Sequence, residues 1–342
     1  WDTAYTLCDV PIFGIVTTMT LDQKERVSLN SIGKIFAIFA GIVTGILLPL
    51  VRQSLGGWAT TVIVLSILSA AMMIPMCLFA KERVIEREKA RDGGAEENYT
   101  LRDMVECLRS NKYLLIFFAA PLISSLLNIG ATWGLYIARY CLGGEEIASF
   151  VSMAVIVPTL IGAAIAVQLC KKYDKFKIFY FSYMFALILG IVRYIAGYEN
   201  MMVYVILNAL GGFPLGIAAI LQYQFTPDCY EYGQYKTGLK MRGVTFAAQT
   251  FFTKLNGAIA TAASVFALTL IGFKEGEGVI QAAGFADKLW TFSCLGSIIG
   301  GIGTLLILRL YKLNDHDVQL MSKCNNGEIT REEAEAQMIN RY

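Results

Sequence analysis

Charge is scarce in this sequence: Asp, Glu, Lys and Arg make up 16% of its 342 residues, against about 25% in soluble domains. Histidine occurs once, at His316, in a polar tail where no chemistry is expected of it. The eight cysteines form no CxxC pair and there is no histidine cluster, so neither a metal centre nor a disulfide framework is expected. No Gly-rich phosphate loop, GxSxG elbow or HExxH helix occurs, and no nucleophile–base pair stands at depth, which argues against an enzyme. The net charge of +2 says little by itself, since where the positive charges sit matters more than their number; no nucleic-acid partner is expected.

What the chain does have is apolar residues, 56% of the total, in long blocks separated by short polar ones. That is the pattern of an all-α integral membrane protein. Nine spans are predicted, at 1–19, 31–52, 57–80, 113–140, 147–170, 177–197, 201–226, 243–272 and 289–311, each near or above the roughly 20 residues a crossing helix needs.

The connections alternate in charge. The first, third, fifth and seventh carry Lys24 and Arg26, then a run from Lys81 to Lys112, then Lys171, Lys172 and Lys175, then Lys236, Lys240 and Arg242. The others are poor in Lys and Arg, so the basic set is expected on the cytoplasmic side, with the C-terminus inside and Trp1 outside. A start on Trp1, outside and without Met, is expected of a chain lacking three upstream helices. Adding them gives twelve, in two six-helix halves about a central cavity, the major facilitator arrangement. The expected division is 1–80 for the remainder of the first half, 81–112 for a cytoplasmic middle loop, 113–312 for the second half and 313–342 for a cytoplasmic tail. Within the loop, Thr100 and Asp103 make a capping-box-like start, and Leu101, Met104, Val105 and Leu108 recur at helical spacing, which predicts an amphipathic helix. The loop is read as a linker, with regulation as the alternative. Thr330 and Glu333 predict a capped helix in the tail.

Asp9 lies about eleven residues, ~16 Å of helix, from the nearest polar loop, and a carboxylate at membrane depth is a functional candidate. Asp2, Tyr5, Thr6, Asp9 and Phe13 share one helix face, polar and aromatic, suited to a water-filled cavity. Lys254 stands at a matching depth after Arg242, with Thr250, Phe251, Gly257, Ala258 and Thr261 on its face. Asp9 and Lys254 together suit a polyol, the carboxylate accepting from hydroxyls and the ammonium donating to oxygens. The alternative is a structural ion pair. Lys34 either lines the cavity or snorkels to the interface. The stretch Asp228 to Lys240, with Glu231, Tyr235 and Lys236, is either an interfacial belt or a gate whose ion pairs form and break. Gly211-Gly212 and Pro214-Leu215-Gly216 offer a place to bend.

Tyr5-Thr6-Leu7-Cys8-Asp9-Val10-Pro11, Leu21-Asp22 through Glu25-Arg26, Tyr235-Lys236-Thr237-Gly238, and Gln249-Thr250 with Lys254 resemble the melibiose permease-like glycoside–pentoside–hexuronide:cation symporters of the major facilitator superfamily. The resemblance runs over essentially the whole chain. It implies cation-coupled sugar uptake (Na⁺, Li⁺ or H⁺) by alternating access, in a bacterial inner membrane, by a monomer. It implies sugar contacts at Asp9, Phe13, Tyr5, Lys34 and Lys254, and a cation site near Thr6, Thr250 and Lys254 whose acidic ligands would lie on the upstream helices. Phe13 stands where the resemblance would put a tryptophan, Lys34 where it would put an arginine, and Arg242 where an acidic residue is common. The cationic pair at 34 and 254 suits a carboxylated sugar such as a hexuronide. A transport-inactive sensor or scaffold, or a non-functional fragment, is the competing reading.

Overall fold

The computed structural model describes residues 58–80 and 108–342, apart from 129, 131, 145, 241 and 275–279, with isolated helical positions at 19, 25, 29, 32, 33, 36, 37, 39, 40 and 105. Asp9, Phe13, Tyr5, Thr6 and Lys34 lie outside the described residues, as does the capping-box-like start at Thr100. The chain divides into two compact units, Trp1–Tyr99 and Thr100–Tyr342.

In the first unit the described helix is α1, Trp58–Phe79, whose Thr61 is buried while Ile63, Ile67 and Met72 are exposed. The second unit is all-helical among its described residues. Its helices are α2 (Lys112–Leu127), α3 (Gly134–Cys141), α4 (Glu146–Leu169), α5 (Lys175–Ala196), α6 (Met201–Leu221), α7 (Phe225–Thr237), α8 (Arg242–Leu270), α9 (Phe285–Leu308), α10 (Asp315–Asn325) and α11 (Arg331–Gln337). Among the described residues, five stretches are long and apolar enough to cross a membrane: Phe150–Leu169, Lys175–Ala196, Met201–Thr237, Gly243–Leu270 and Phe285–Leu308. Many large apolar side chains on them, such as Phe181, Ile206 and Leu306, are exposed, as a lipid-facing surface requires, so the protein is a multi-pass membrane protein.

Two differences from the predicted spans matter for function. The span predicted at 113–140 is interrupted: α2 ends at Leu127, capped by Asn128, and α3 begins after Trp133. Gly130 in the break lies against α9, where an added Cβ would stand 2.8 Å from the Ser293 carbonyl oxygen. The interruption is held by polar side chains. Ser297 donates to Asn128 Oδ1 (2.7 Å), while Thr132 (2.6 Å) and the Trp133 indole (2.9 Å) both donate to Ser264 Oγ. The second difference is that α6 does not end near residue 226. It runs through the 3-10 turn Gln222–Gln224 into α7 and stops only at Gly238, whose φ of 76° caps the helix. The Asp228–Lys240 stretch is therefore helical up to Thr237.

α4 and α6 pack at backbone distance. A Cβ on Gly216 would fall on the Thr159 carbonyl oxygen and one on Gly162 on the Phe213 carbonyl oxygen, while one on Gly212 would stand 2.6 Å from Val155 O. Small residues at such a crossing are what lets two apolar helices associate in lipid. The buried side chains then gather at the two ends of the unit. One cluster, including Tyr113, Phe117, Phe225, Tyr232, Tyr311 and Met321, underlies the tail; the other, including Trp133, Tyr204, Leu289, Trp290 and Cys294, lies at the far end.

Candidate functional site

Lys254 sits twelve residues on from Arg242 at the start of α8, about 18 Å along the helix axis. The opposite face of α8 is its packing face: Thr245, Ala248 and Gln249 are buried, and Phe252 stacks on Phe118 with ring centroids 4.7 Å apart. That contact fixes the rotation of the helix. On the side of half-buried Lys254, Phe251 is 61% exposed and Ala258 and Thr261 are exposed. Gly257 has nothing within 4 Å of where a Cβ would stand. Thr250 and Thr261 turn their hydroxyls back to the Phe246 and Gly257 carbonyls, at 3.3 and 3.0 Å.

The residues suggested as a gate form a second, denser site at the end of the unit nearest the tail. Asp228, in the first turn of α7, is 2% exposed, and Lys175, the first residue of α5, is 7% exposed. The Lys175 ammonium lies 2.7 Å from each carboxylate oxygen of Asp228 and 3.1 Å from Asp315 Oδ1. Asp174 caps α5 by accepting from the Phe176 and Lys177 amides. Its other oxygen accepts from the Asp315 amide at 2.8 Å, and Asp315 accepts in return from the Lys175 amide at 2.9 Å. One buried cation thus ties α5, α7 and α10 together.

The rest of α7 is fastened to the tail in the same way. Asn325 donates to both the carbonyl (2.9 Å) and the carboxylate (3.0 Å) of Glu231. The Tyr235 hydroxyl donates to Glu335 at 3.0 Å, and Arg331, paired with Glu335, lies over the Tyr235 ring. Asn111, the cap of α2, donates to the Cys229 carbonyl at 2.6 Å. Lys236 reaches the Tyr232 hydroxyl at 3.4 Å, and Lys240, beyond the helix, is exposed.

Beneath this, Asp317 is fully buried. It accepts from the Ile339 amide (2.8 Å), the Asn340 amide (3.1 Å), the Tyr342 hydroxyl (2.7 Å) and the Asn314 side chain (2.7 Å). Burial by itself would raise this carboxyl, but the donors outweigh it and hold its pKa below the ordinary aspartate value. The knot brings Tyr342 against Tyr113 and Tyr232. Thr330 and Glu333 make the predicted capping box at α11. Sequence reasoning missed Lys175, Asp315 and Asp317, whose partners lie on other elements. Among the described residues, no group of three or more His, Cys, Asp or Glu side chains is placed to hold a metal ion.

Comparison with known proteins matches residues 1–315 to the family described as MFS/sugar transport protein. The chain is 25% identical to an uncharacterised symporter of Bacillus subtilis (strain 168), an alignment covering 82% of this chain and 61% of that protein. It is 25% identical to a lactose permease of Lactobacillus helveticus over 91% of this chain and 47% of the permease. It is 22% identical to an inner membrane symporter of Escherichia coli (strain K12), over 92% of this chain and 68% of that protein. The chain thus spans about half to two thirds of the length of these relatives.

Proposed function

The chain belongs to the MFS/sugar transport protein family, a family of transporters rather than enzymes, and on that premise we propose that the protein carries a sugar or glycoside across the membrane together with a monovalent cation, by alternating access. The observation that carries the reading furthest is Lys254: an ammonium about 18 Å along a membrane helix, on the side turned away from that helix's packing face. In this proposal Lys254 donates to sugar oxygens, Asp9 accepts from sugar hydroxyls, and Tyr5, Phe13 and Lys34 complete the wall. Thr6 and Thr250 adjoin the cation, which is Na⁺, Li⁺ or H⁺. A carboxylated sugar, such as a hexuronide, fits a site with two lysines, since each offers a charge-assisted hydrogen bond.

The tail-side network supports a specific division of labour for the gate. Asp228, Glu231 and Tyr235 are engaged inside their own unit by Lys175, Asn325 and Glu335. They hold α7 to α5 and to the tail, so that α7 moves as one body when the transporter rocks. Lys236, in the last turn of α7, and Lys240, beyond it, are exposed, and in this proposal they contribute to the cytoplasmic mouth. The deciding experiment is counterflow of radiolabelled glycosides and hexuronides in vesicles containing the full-length protein, in Na⁺, in Li⁺ and at low pH. Exchange of at least one sugar, stimulated by one of these cations, is expected; no exchange of any sugar under any condition would sink the proposal.

A further inference from the structure

α5 and α9 lie side by side and antiparallel in the second unit. A Cβ on Gly301 would stand 3.2 Å from Leu187 Cδ1, one on Gly190 would stand 3.8 Å from Ile298 Cγ1, and the Phe176 and Tyr311 rings stack with centroids 4.9 Å apart. These contacts fix the register of the pair. Lys177, Met184 and Ile191 follow at seven-residue steps along α5, as Leu295, Ile302 and Arg309 do along α9 and its C-cap, and all of them are exposed. A seven-residue step is close to two helical turns, so each trio keeps to one stripe of its helix. Counted round from the contacts, both stripes border the seam on the same side, where Phe181 and Leu306 are also exposed. The register sets Lys177 level with Arg309, Met184 with Ile302 and Ile191 with Leu295. An apolar seam thus ends, nearest the tail, in two cations on neighbouring helices.

We infer that this seam binds a phospholipid with an anionic headgroup, its phosphate held between Lys177 and Arg309 and an acyl chain lying along Met184, Ile191, Leu295 and Ile302. At the usual helix spacing of about 8–10 Å, two long cationic side chains at one level can meet on one phosphate, and the arginine offers it a planar fork. The seam runs ~21 Å along α5 from Lys177 to Ile191, more than the ~15 Å of hydrocarbon in one leaflet. A chain anchored at the phosphate therefore stays on apolar surface. Charge complementarity selects the headgroup. Lys171, Lys172 and Lys312 are exposed in the turns beside the two cations. Asp174 and Asp315, the acidic residues of the same turns, are already engaged, Asp174 by backbone amides and Asp315 by Lys175. The local excess is positive, which favours an anionic lipid over a zwitterionic one, whose own amine would meet cations. The surface belongs to α5 and α9 and does not depend on the proposed sugar site.

The test is native mass spectrometry of the full-length protein in detergent, titrated with dioleoyl phosphatidylglycerol or with dioleoyl phosphatidylcholine. Phosphatidylglycerol is expected to bind roughly tenfold more tightly, and Lys177→Gln combined with Arg309→Gln should remove that preference. Both side chains are exposed, so this variant should fold and melt like the parent. Lys171→Gln combined with Lys172→Gln takes the same charge from the preceding turn and should keep most of the preference. Glycerol phosphate, which offers the headgroup without the chains, should not displace the lipid at equal concentration. The inference is overturned by equal binding of the two lipids, by an equal loss in the two double variants, which would make the surface a diffuse basic belt, by displacement with glycerol phosphate, or by a lipid-free dimer that Lys177→Gln with Arg309→Gln dissociates.

Discussion

The Lys175 ammonium bridges both carboxylate oxygens of Asp228 at 2.7 Å although the two residues are 53 apart in sequence and both are almost fully buried. Removing one partner of such a pair strands the other as an uncompensated buried charge. Lys175→Met is therefore expected to destabilise the full-length protein by about 3–5 kcal/mol. The double variant Lys175→Met with Asp228→Leu should recover most of the loss, because an apolar pair of similar size needs no counter-charge. Denaturant unfolding in detergent measures both. Single variants that lose less than about 1 kcal/mol would place the pair in water, where exposed ion pairs contribute that little.

Asp317 makes the tail's attachment acid-labile. Its carboxyl is held below its ordinary pKa by donors from Ile339, Asn340, Tyr342 and Asn314, with His316 alongside at 3.3 Å. A depressed folded-state pKa contributes stability that is fully present above the unfolded value, about 3.9, and is lost as pH falls through the folded value. Amide-exchange protection at Ile339 and Asn340 should thus be constant from neutral pH down to about 5 and fall below about 4. Asp317→Asn, which cannot carry the charge, should show weak protection at neutral pH and little pH dependence. A wild-type tail equally protected at pH 3 and pH 7 would contradict this.

The glycines at the α4–α6 crossing separate packing from helix propensity. Ala is the better helix former by about 1 kcal/mol, so Gly211→Ala, with nothing within 4 Å of the new Cβ, is expected to be neutral or slightly stabilising. Gly216→Ala drives the same atom into the Thr159 carbonyl. The helices must separate, and the expected cost is about 1–3 kcal/mol, seen as a lower melting temperature and reduced yield of inserted protein. Equal behaviour of the two variants would show that α4 and α6 are not in backbone contact.

What was legible in the sequence was local. The Thr330–Glu333 capping box and the span around Lys175–Ala196 rest on residues within one or two turns of each other, and hydropathy or cap chemistry reads them directly. The role of Lys175 was not legible. By sequence it is one of three lysines in a basic turn, and what makes it special is burial against Asp228 and Asp315, the latter 140 positions away. The interruption between α2 and α3 was hidden for a related reason. Hydropathy stays high across it, and the features that fix it, Gly130 against Ser293 and Trp133 on Ser264, are contacts with α9 and α8. The predicted span stops at 226 because the composition beyond it is not apolar. The polar stretch there remains helical because its polar side chains find partners at the tail and its first αL residue is Gly238. The Asp9 wall lies outside the described residues, and its part in the site stays a reading of the sequence.

Ser264 is the joint on which that interruption closes, since it accepts from both Thr132 and the fully buried Trp133. Ser264→Ala removes the acceptor and leaves the indole N–H buried without a partner. The expected cost is about 1–3 kcal/mol, with a change in tryptophan emission reporting the loosened ring. Ser264→Thr, which keeps the hydroxyl, should restore most of both.

Lys254 offers the sharpest test of the proposed site, because two substitutions separate charge from shape. Lys254→Met keeps the length of the stem and removes the donor. If the ammonium holds a sugar by charge-assisted hydrogen bonds, each worth about 1.5–3 kcal/mol, affinity measured by ligand titration of the full-length protein should fall at least tenfold. The loss should be largest for carboxylated sugars. Lys254→Arg keeps the charge but presents a planar fork in place of a compact point charge, so it should retain anionic sugars better than neutral ones. Neither change should lower the melting temperature by more than a few degrees, since the packing of α8 runs through Phe252 on its other face. Affinity unchanged in Lys254→Met, alongside a large loss of stability, would make Lys254 a structural ion-pair partner and remove it from the site.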